Sequence, residues 1–414
     1  MTTISESVLT SIQRRIVVIG WITYAAYYLG RVNISIALPD LQNNLHLTKG
    51  QVGLITTGFF WAYAIGQIVN GRLGDLMSPR RLVLIGMLSS AVLNLLFGSV
   101  SFLPGLIIVW MFNGYFQAMG WGPVLRTLAN WLEPALRTRV SSLFGSCFVV
   151  GNAFTWLLTG RLVANFGWRA AFWVPACFMI VFALGWYLFA RDTPLDNNQA
   201  LIKHNITSTV SLNWSSLIVD LFGSLRRFWP LVMACIFFGF TFASLIVWLP
   251  TYYVEVQKLD IDSASVLSTL VPVAGIAGTL LIGGWIGRSW LGRETVGLMI
   301  IMIALAASLA LYAFFPGGLI ISTLFLVLIG AFAYGSTSVL LTTIPLVVVG
   351  PTEASSTAGL LDLTFNIGAG LSGGIIGAIL DTGGWSMVFL VQGGAVLLAA
   401  ASLLLLHIRK GVTL

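Results

Sequence analysis

The stretch WITYAAYYLGRVNISIALP, Trp21 to Pro39, has the length and apolar character of a membrane-spanning helix and carries a single charge, Arg31, in its middle. A guanidinium at bilayer depth costs from about 2.5 to over 10 kcal/mol, so it is tolerated only when it faces a bundle interior or a wet cavity. It therefore points to an anion site; the alternative is a structural arginine paired with a neighbouring carboxylate. Read as one continuous helix, the spacing puts Tyr24, Tyr27, Tyr28 and Ser35 on the face of Arg31, a polar aromatic stripe with a charge in it.

Working outward, the 414 residues are 57% hydrophobic and only 8% charged, with a mean hydropathy of +0.94, which no soluble domain tolerates. Apolar runs of about 20 residues recur along the chain. They predict an all-α, polytopic membrane protein with twelve spans: 16–38, 51–72, 82–102, 105–130, 140–162, 168–190, 229–254, 265–287, 295–315, 318–349, 355–380 and 385–407. A β-barrel is excluded, because its strands alternate apolar and polar whereas these runs are continuously apolar. The pairs Arg14–Arg15, Arg80–Arg81, Arg137 with Arg139, Arg226–Arg227 and Arg409–Lys410 fall on one side, and Lys49, Arg161, Arg169 and Lys258 on the other. The positive-inside rule then puts both termini in the cytoplasm, in a cell (inner) membrane. The net charge of +7 is accounted for by anionic lipid, with no nucleic acid as partner.

The first span is too long for a cleavable signal and is expected to remain. Cys147, Cys177 and Cys235 read as buried thiols inside helices, and His46, His204 and His407 are too scattered for a proton relay or a metal site, so no cofactor is expected.

The polar stretch 191–228, opening RDTPLDNNQALIKHN, splits the chain into two six-helix bundles, 1–190 and 229–414. LITTGFFWAYAIGQIVNGRLGD from Leu54 superposes weakly on VLSTLVPVAGIAGTLLIGGWIG from Val266, so the halves read as repeats with a solute site between them near the midplane. The plan is complete in one chain, and a monomer is the expectation.

GRLGDLMSPRR, Gly71 to Arg81, resembles the loop signature of the major facilitator superfamily. Gly71 and Gly74 would let a helix approach a neighbour closely, and Asp75 would cap a helix end and pair with Arg126, with Arg80 and Arg81 alongside. This reads either as a latch holding one access state or as simple loop anchoring. In the second half, GGWIGRSWLGR has Gly287 in place of the acid. NGYFQAMGWGPVLRTLANW (Asn113–Trp131), FARDTP (Phe189–Pro194) and WLPTYYVEV (Trp248–Val256), with YYLGRVNISIALP, resemble the organophosphate:phosphate antiporter family, which includes glycerol-3-phosphate and hexose-phosphate transporters. FFWAYAIGQ (Phe59–Gln67) also resembles the anion:cation symporter family.

The antiporter resemblance implies that Arg31 grips the anionic group, but that family's other basic positions fall on Gln67, near Phe148 and near Phe242. One guanidinium compensates a phosphate dianion poorly and suits a monoanion better. The symporter resemblance implies acids where this chain has Gly30 and Gln117. Asp362 is the clear intramembrane carboxylate, either carrying a coupling proton or serving as a partner for Arg31 or as a polar residue near the cytoplasmic headgroups. Tyr63, Gln67 and Asn70 share one helix face; with Gln117, Asn152, Tyr334 and Asn366 they line a cavity or bond between helices. Trp248, Tyr252 and Tyr253 read as an interfacial belt, and the glycines of IGAGLSGGIIGAI (Ile367–Ile379) as close packing or a hinge.

The function expected is a secondary active transporter moving a small organic anion by alternating access. Exchange would make a counter-anion such as phosphate obligatory, whereas symport would need a proton on Asp362. A transporter-like receptor for an organic phosphate would call for a long cytoplasmic loop or tail, which the chain lacks. A channel lacks rings of charge, and no motif supports an enzyme.

Overall fold

Inside a bilayer every backbone N–H and C=O needs a partner, which a helix supplies within its own segment. The computed structural model describes residues 10–133, 136, 140, 144, 146–193, 222–290, 293–345 and 354–412, and among these every regular element is helical. The helices are α1 (Ser11–Tyr27), α2 (Asn33–Leu45), α3 (Lys49–Leu76), α4 (Pro79–Ser99), α5 (Leu103–Gln117), α6 (Trp121–Trp131) and α7 (Ser146–Phe166). They continue as α8 (Ala170–Phe189), α9 (Trp229–Glu255), α10 (Ile261–Ser289), α11 (Glu294–Phe314), α12 (Leu319–Ser338), α13 (Ala354–Thr382) and α14 (Gly384–Val412). Ten of them are long and apolar enough to cross a membrane unbroken. The broken pairs α1–α2 and α5–α6 make two further crossings, which gives the twelve expected.

Helix ends follow local chemistry. Thr48 and Gln51 form a reciprocal capping box on α3, and Ser78 caps α4 ahead of Pro79. Asp260 caps α10 and accepts from the Ser263 N–H at 2.8 Å. That bond and one from the Ser263 hydroxyl hold its carboxyl below the usual range.

The first span is not one continuous helix. A 3-10 turn occupies Tyr28–Gly30 and a turn follows at Arg31 and Val32 before α2 begins. A ring of buried amides takes up the backbone groups this break frees. Asn113 Nδ2 donates to the Gly30 carbonyl at 2.8 Å, Gln117 Nε2 to the Tyr27 carbonyl at 3.1 Å, and Asn33 Nδ2 to Asn94 Oδ1 at 3.0 Å. The fourth span breaks beside it at 118–120, where the Tyr27 ring lies against Gly120 and a Cβ would sit 3.1 Å from that ring. The two breaks brace each other.

The halves meet chiefly along α3 with α13 and α7 with α10. Gly53 and Gly373 face each other with no room for a Cβ on either. Nearby, Thr57 Oγ1 donates to the Gly370 carbonyl at 2.6 Å. At one end Asp381 accepts from the backbone N–H groups of Lys49 (2.9 Å) and Gly50 (2.8 Å), closing the N-terminus of α3 from the opposite half. Lys49 with Glu255 (2.8 Å) and Arg161 with Asp262 (3.0 Å) add ion pairs at that end. Among the described residues, the hydrogen bonds between halves stop at Gln67 with Asp362. Further towards the Arg80 end, a Cβ at Gly71 or Gly359 would meet nothing within 4 Å. The closed seam is thus at the Asp381 end.

Several expectations are corrected. Gly71 lies within α3 and approaches nothing closely, and Gly74 comes no nearer than 3.9 Å to Leu82; the close approach is made at Gly50 and Gly53 instead. Trp248, Tyr252 and Tyr253 are buried rather than interfacial, because α9 turns them towards α11, α12 and α14, where the Tyr312 hydroxyl donates to that of Tyr252 at 2.6 Å. Cys177 is exposed on the outer face of α8, while Cys147 and Cys235 are buried. The linker from 194 to 221, with Lys203 and His204, and also Arg137, Arg139, the side chains of Asp75, Arg409 and Lys410 and the surroundings of Gly287 lie outside the described residues.

Candidate functional site

Arg31 owes its position to the break. Gly30 fits there because it has no side chain: a Cβ would come within 2.6 Å of Met179 Sδ and 2.8 Å of Asn94 Nδ2. An acid at position 30, which the symporter resemblance implies, would have to displace the Met179 and Asn94 side chains, and Gln117 is occupied by the Tyr27 carbonyl and the Ser90 hydroxyl. The turn projects the guanidinium over three rings, 4.4 Å from the centre of Tyr63, 5.7 Å from Tyr28 and 5.9 Å from Phe59. Each lies within cation–π range. Among the described residues Arg31 forms no ion pair, the two that exist being Lys49–Glu255 and Arg161–Asp262. The expected alternative partner, Asp362, accepts instead from Gln67 across the halves and from Asn366 Nδ2 at 3.4 Å.

A cavity of about 110 Å³ lies in front of Arg31, between the halves. Of the candidates, Arg31, Tyr28, Ser35, Asn152, Phe242, Tyr334 and Asn366 line it. Tyr63 backs Arg31, and Gln67 with Asp362 joins the halves. Phe148 and Phe242, near which the antiporter resemblance would put basic residues, line the cavity as bare rings. The second half thus contributes aromatic surface: Tyr334 stacks on Phe148 (centres 6.3 Å apart, planes 5° apart) and meets Phe242 edge-on at 4.9 Å.

Tyr24, Tyr27 and Gln117 do not line the cavity. The break shifts the helical phase, so Tyr27 turns into the first half and donates to the Val83 carbonyl at 2.9 Å, while Tyr24 packs on Trp121 at 4.6 Å. Asn70 donates to the Tyr115 carbonyl at 3.1 Å. Arg126 donates to the Gly74 carbonyl, and the Asp75 side chain expected as its partner lies outside the described residues. Arg80 stacks on Tyr187 at 4.3 Å and donates its backbone N–H to Asp192 at 2.8 Å, and Arg81 is exposed. Thr56, Phe59, Trp110 and Phe365 are lining residues the sequence reading missed. For Thr56 and Phe59 the signal was available, since they lie seven and four residues before Tyr63 on an unbroken helix.

A two-bundle membrane protein with a lone cation in an inter-bundle cavity has the architecture of a carrier. Residues 20–373 match the Major Facilitator Superfamily, and the chain belongs to it. The resemblance to organophosphate:phosphate antiporters is borne out by its relatives. It is 27% identical to the glycerol-3-phosphate transporter of Bacillus subtilis (strain 168), over 76% of this chain and 74% of that one. It is 26% identical to the membrane sensor protein UhpC of Escherichia coli (strain K12), over 92% and 88%. Among solved structures, a bacterial homolog of the human lysosomal transporter Spinster, inward-facing and occupied, superposes with a TM-score of 0.74 at 17% identity, over 96% of this chain and 97% of that one. Among the described residues no cluster of His, Cys, Asp and Glu has the arrangement of a metal site.

Proposed function

We propose that this protein is a secondary active transporter that carries a small organic anion across the membrane by alternating access, with Arg31 holding the anionic group. The observation that carries the reading is Arg31 itself, set on a helix break at bilayer depth, over three rings, with no ion-pair partner among the described residues. A guanidinium held in that way presents its planar fork to a carboxylate or phosphate. A single cation supports a carboxylate or singly charged phosphate as the group bound. The glycerol-3-phosphate transporter among its relatives supports an organophosphate, and the resemblance to organophosphate:phosphate antiporters supports phosphate as the counter-anion. The small cavity supports a compact solute.

In this reading the halves 1–190 and 229–414 rock about the site as a monomer, with 191–228 as linker. The basic Arg80 end faces the cytoplasm, both termini are cytoplasmic, and the membrane is the cell (inner) membrane. The closed seam at Asp381 then faces outward. A second reading, proton-coupled symport, is favoured by the place of Asp362 at the inter-half contact. The sensor relative favours a receptor only if the solute binds without crossing.

The test is counterflow in proteoliposomes with labelled phosphate against glycerol 3-phosphate and lactate, alongside stabilisation of the purified protein by each. Arg31→Lys is expected to cost about tenfold or more in apparent affinity while the unliganded protein melts near the wild type. Unchanged flux in that variant rules out the Arg31 reading. Asp362→Asn is expected to leave counterflow within about threefold. Loss of accumulation driven by a pH gradient, with counterflow intact, would select symport instead.

A further inference from the structure

Buried polar side chains in folded proteins almost always find a hydrogen-bond partner, so one that has none and faces a binding cavity marks a contact waiting for its ligand. Among the described residues several buried polar atoms lack a protein partner, and of these Asn152 Oδ1 is the one that belongs to a cavity-lining residue. Asn152 is 4% exposed, on α7 one turn beyond Phe148. Its environment holds no acid: the cavity's other polar lining consists of hydroxyls, the Trp110 indole, the Asn366 amide and the Arg31 guanidinium. A carboxamide oxygen in such a setting is an acceptor without charge. It suits a neutral O–H, whereas an ammonium group would call for an acid, and the nearby Asp362 is taken up by Gln67 and Asn366.

We propose that Asn152 is a specificity-determining residue, its side-chain oxygen accepting a hydrogen bond from a hydroxyl that the solute carries in addition to the anionic group on Arg31. The inference rests on the anion-carrier reading above and narrows it: the solute is a hydroxylated anion, recognised at two points. Arg31 supplies affinity for either form of a matched pair, with or without the hydroxyl. Asn152 supplies the difference, because the form lacking the hydroxyl leaves a buried acceptor desolvated and unpaired. The other unpartnered atoms, such as Thr159 Oγ1 and Trp248 Nε1, do not line the cavity and carry no such role.

The experiment compares matched pairs on the purified full-length protein: glycerol 3-phosphate against n-propyl phosphate, and lactate against propionate, each titrated by thermal stabilisation. In the wild type the hydroxylated member of whichever pair binds is expected to be favoured by about tenfold or more. In Asn152→Leu the preference collapses to within about twofold, the hydroxylated member weakening and its partner staying within about threefold of its wild-type value. A wild-type ratio near one overturns the inference whatever the variant does, so the result stands even if Asn152→Leu folds poorly. An undiminished ratio in Asn152→Leu, or in Asn152→Ala should the first variant not fold, also overturns it. Either of these leaves the anion-carrier reading intact. Stabilisation by no member of either pair would instead remove that reading, and this one with it.

Discussion

Replacing Asn113 by leucine tests whether the amide ring around the helix break is what aims Arg31. Asn113 is fully buried; its Nδ2 donates to the Gly30 carbonyl at 2.8 Å and its Oδ1 accepts from the Ser90 hydroxyl at 2.5 Å. Leucine of similar volume removes both bonds, leaving Gly30 only the 3.4 Å contact from Asn94. Two buried bonds lost at about 1–3 kcal/mol each set an upper bound of roughly 2–6 kcal/mol, since the Ser90 hydroxyl keeps its bond from Gln117. Hydrogen bonds between membrane helices average nearer 0.6 kcal/mol, because freed groups find other partners. The partner closest to hand for the Gly30 carbonyl is a backbone N–H one turn on, reached by straightening the helix. That relaxation limits the loss of stability to about 1–2 kcal/mol but turns Arg31 away from Tyr63. The expected outcome is a modest fall in melting temperature together with a drop of about tenfold or more in stabilisation by the anions named above. An affinity within about twofold of wild type, in a variant that melts lower, would refute the positioning argument and leave the amides with a purely structural role.

Two other outcomes follow from the same geometry. Gly53→Val places a branched side chain against the Gly373 backbone, which no rotamer relieves, so overpacking of about 1–3 kcal/mol should shift the population some 5- to 150-fold away from the closed seam. It is read as faster labelling of Thr56→Cys from the Asp381 side, in a background lacking Cys147, Cys177 and Cys235; unchanged labelling would count against the seam as the barrier. Tyr63→Leu removes the ring 4.4 Å from Arg31 and should weaken anion binding about 2- to 30-fold, with Tyr63→Phe retaining most of it. Equal losses in the two variants would assign the effect to the hydroxyl rather than the ring.

The number and kind of spans were legible because each depends on a run of apolar residues, a property of neighbours in the chain. So was Arg31, since a charge in such a run has to face protein or water. The break at Tyr28–Val32 was not legible, because what permits it is distant in sequence: Asn94 on α4, Asn113 and Gln117 on α5, and the space beside Met179 that only Gly30 fills. A straight helix would carry Tyr24 and Tyr27 onto the face of Arg31; the break leaves them packed within the first half. Helix α3, which has no break, kept its phase and sets Tyr63 beside Arg31, while Phe242, singled out by the antiporter resemblance and not by spacing, lines the cavity from α9.

The cavity's lopsided chemistry has a mechanical consequence. Its one charge belongs to the first half, and the second half offers mostly apolar surface, Phe242, Ala243, Ile246, Val247 and Phe365, beside Tyr334 and Asn366. Directional bonds fix a ligand to the body that makes them, whereas an aromatic surface can slide past with little change in energy. A solute seated on Arg31 therefore travels as a passenger of one bundle, and the other acts as a shutter drawn across it, with few polar contacts to break and remake on each stroke.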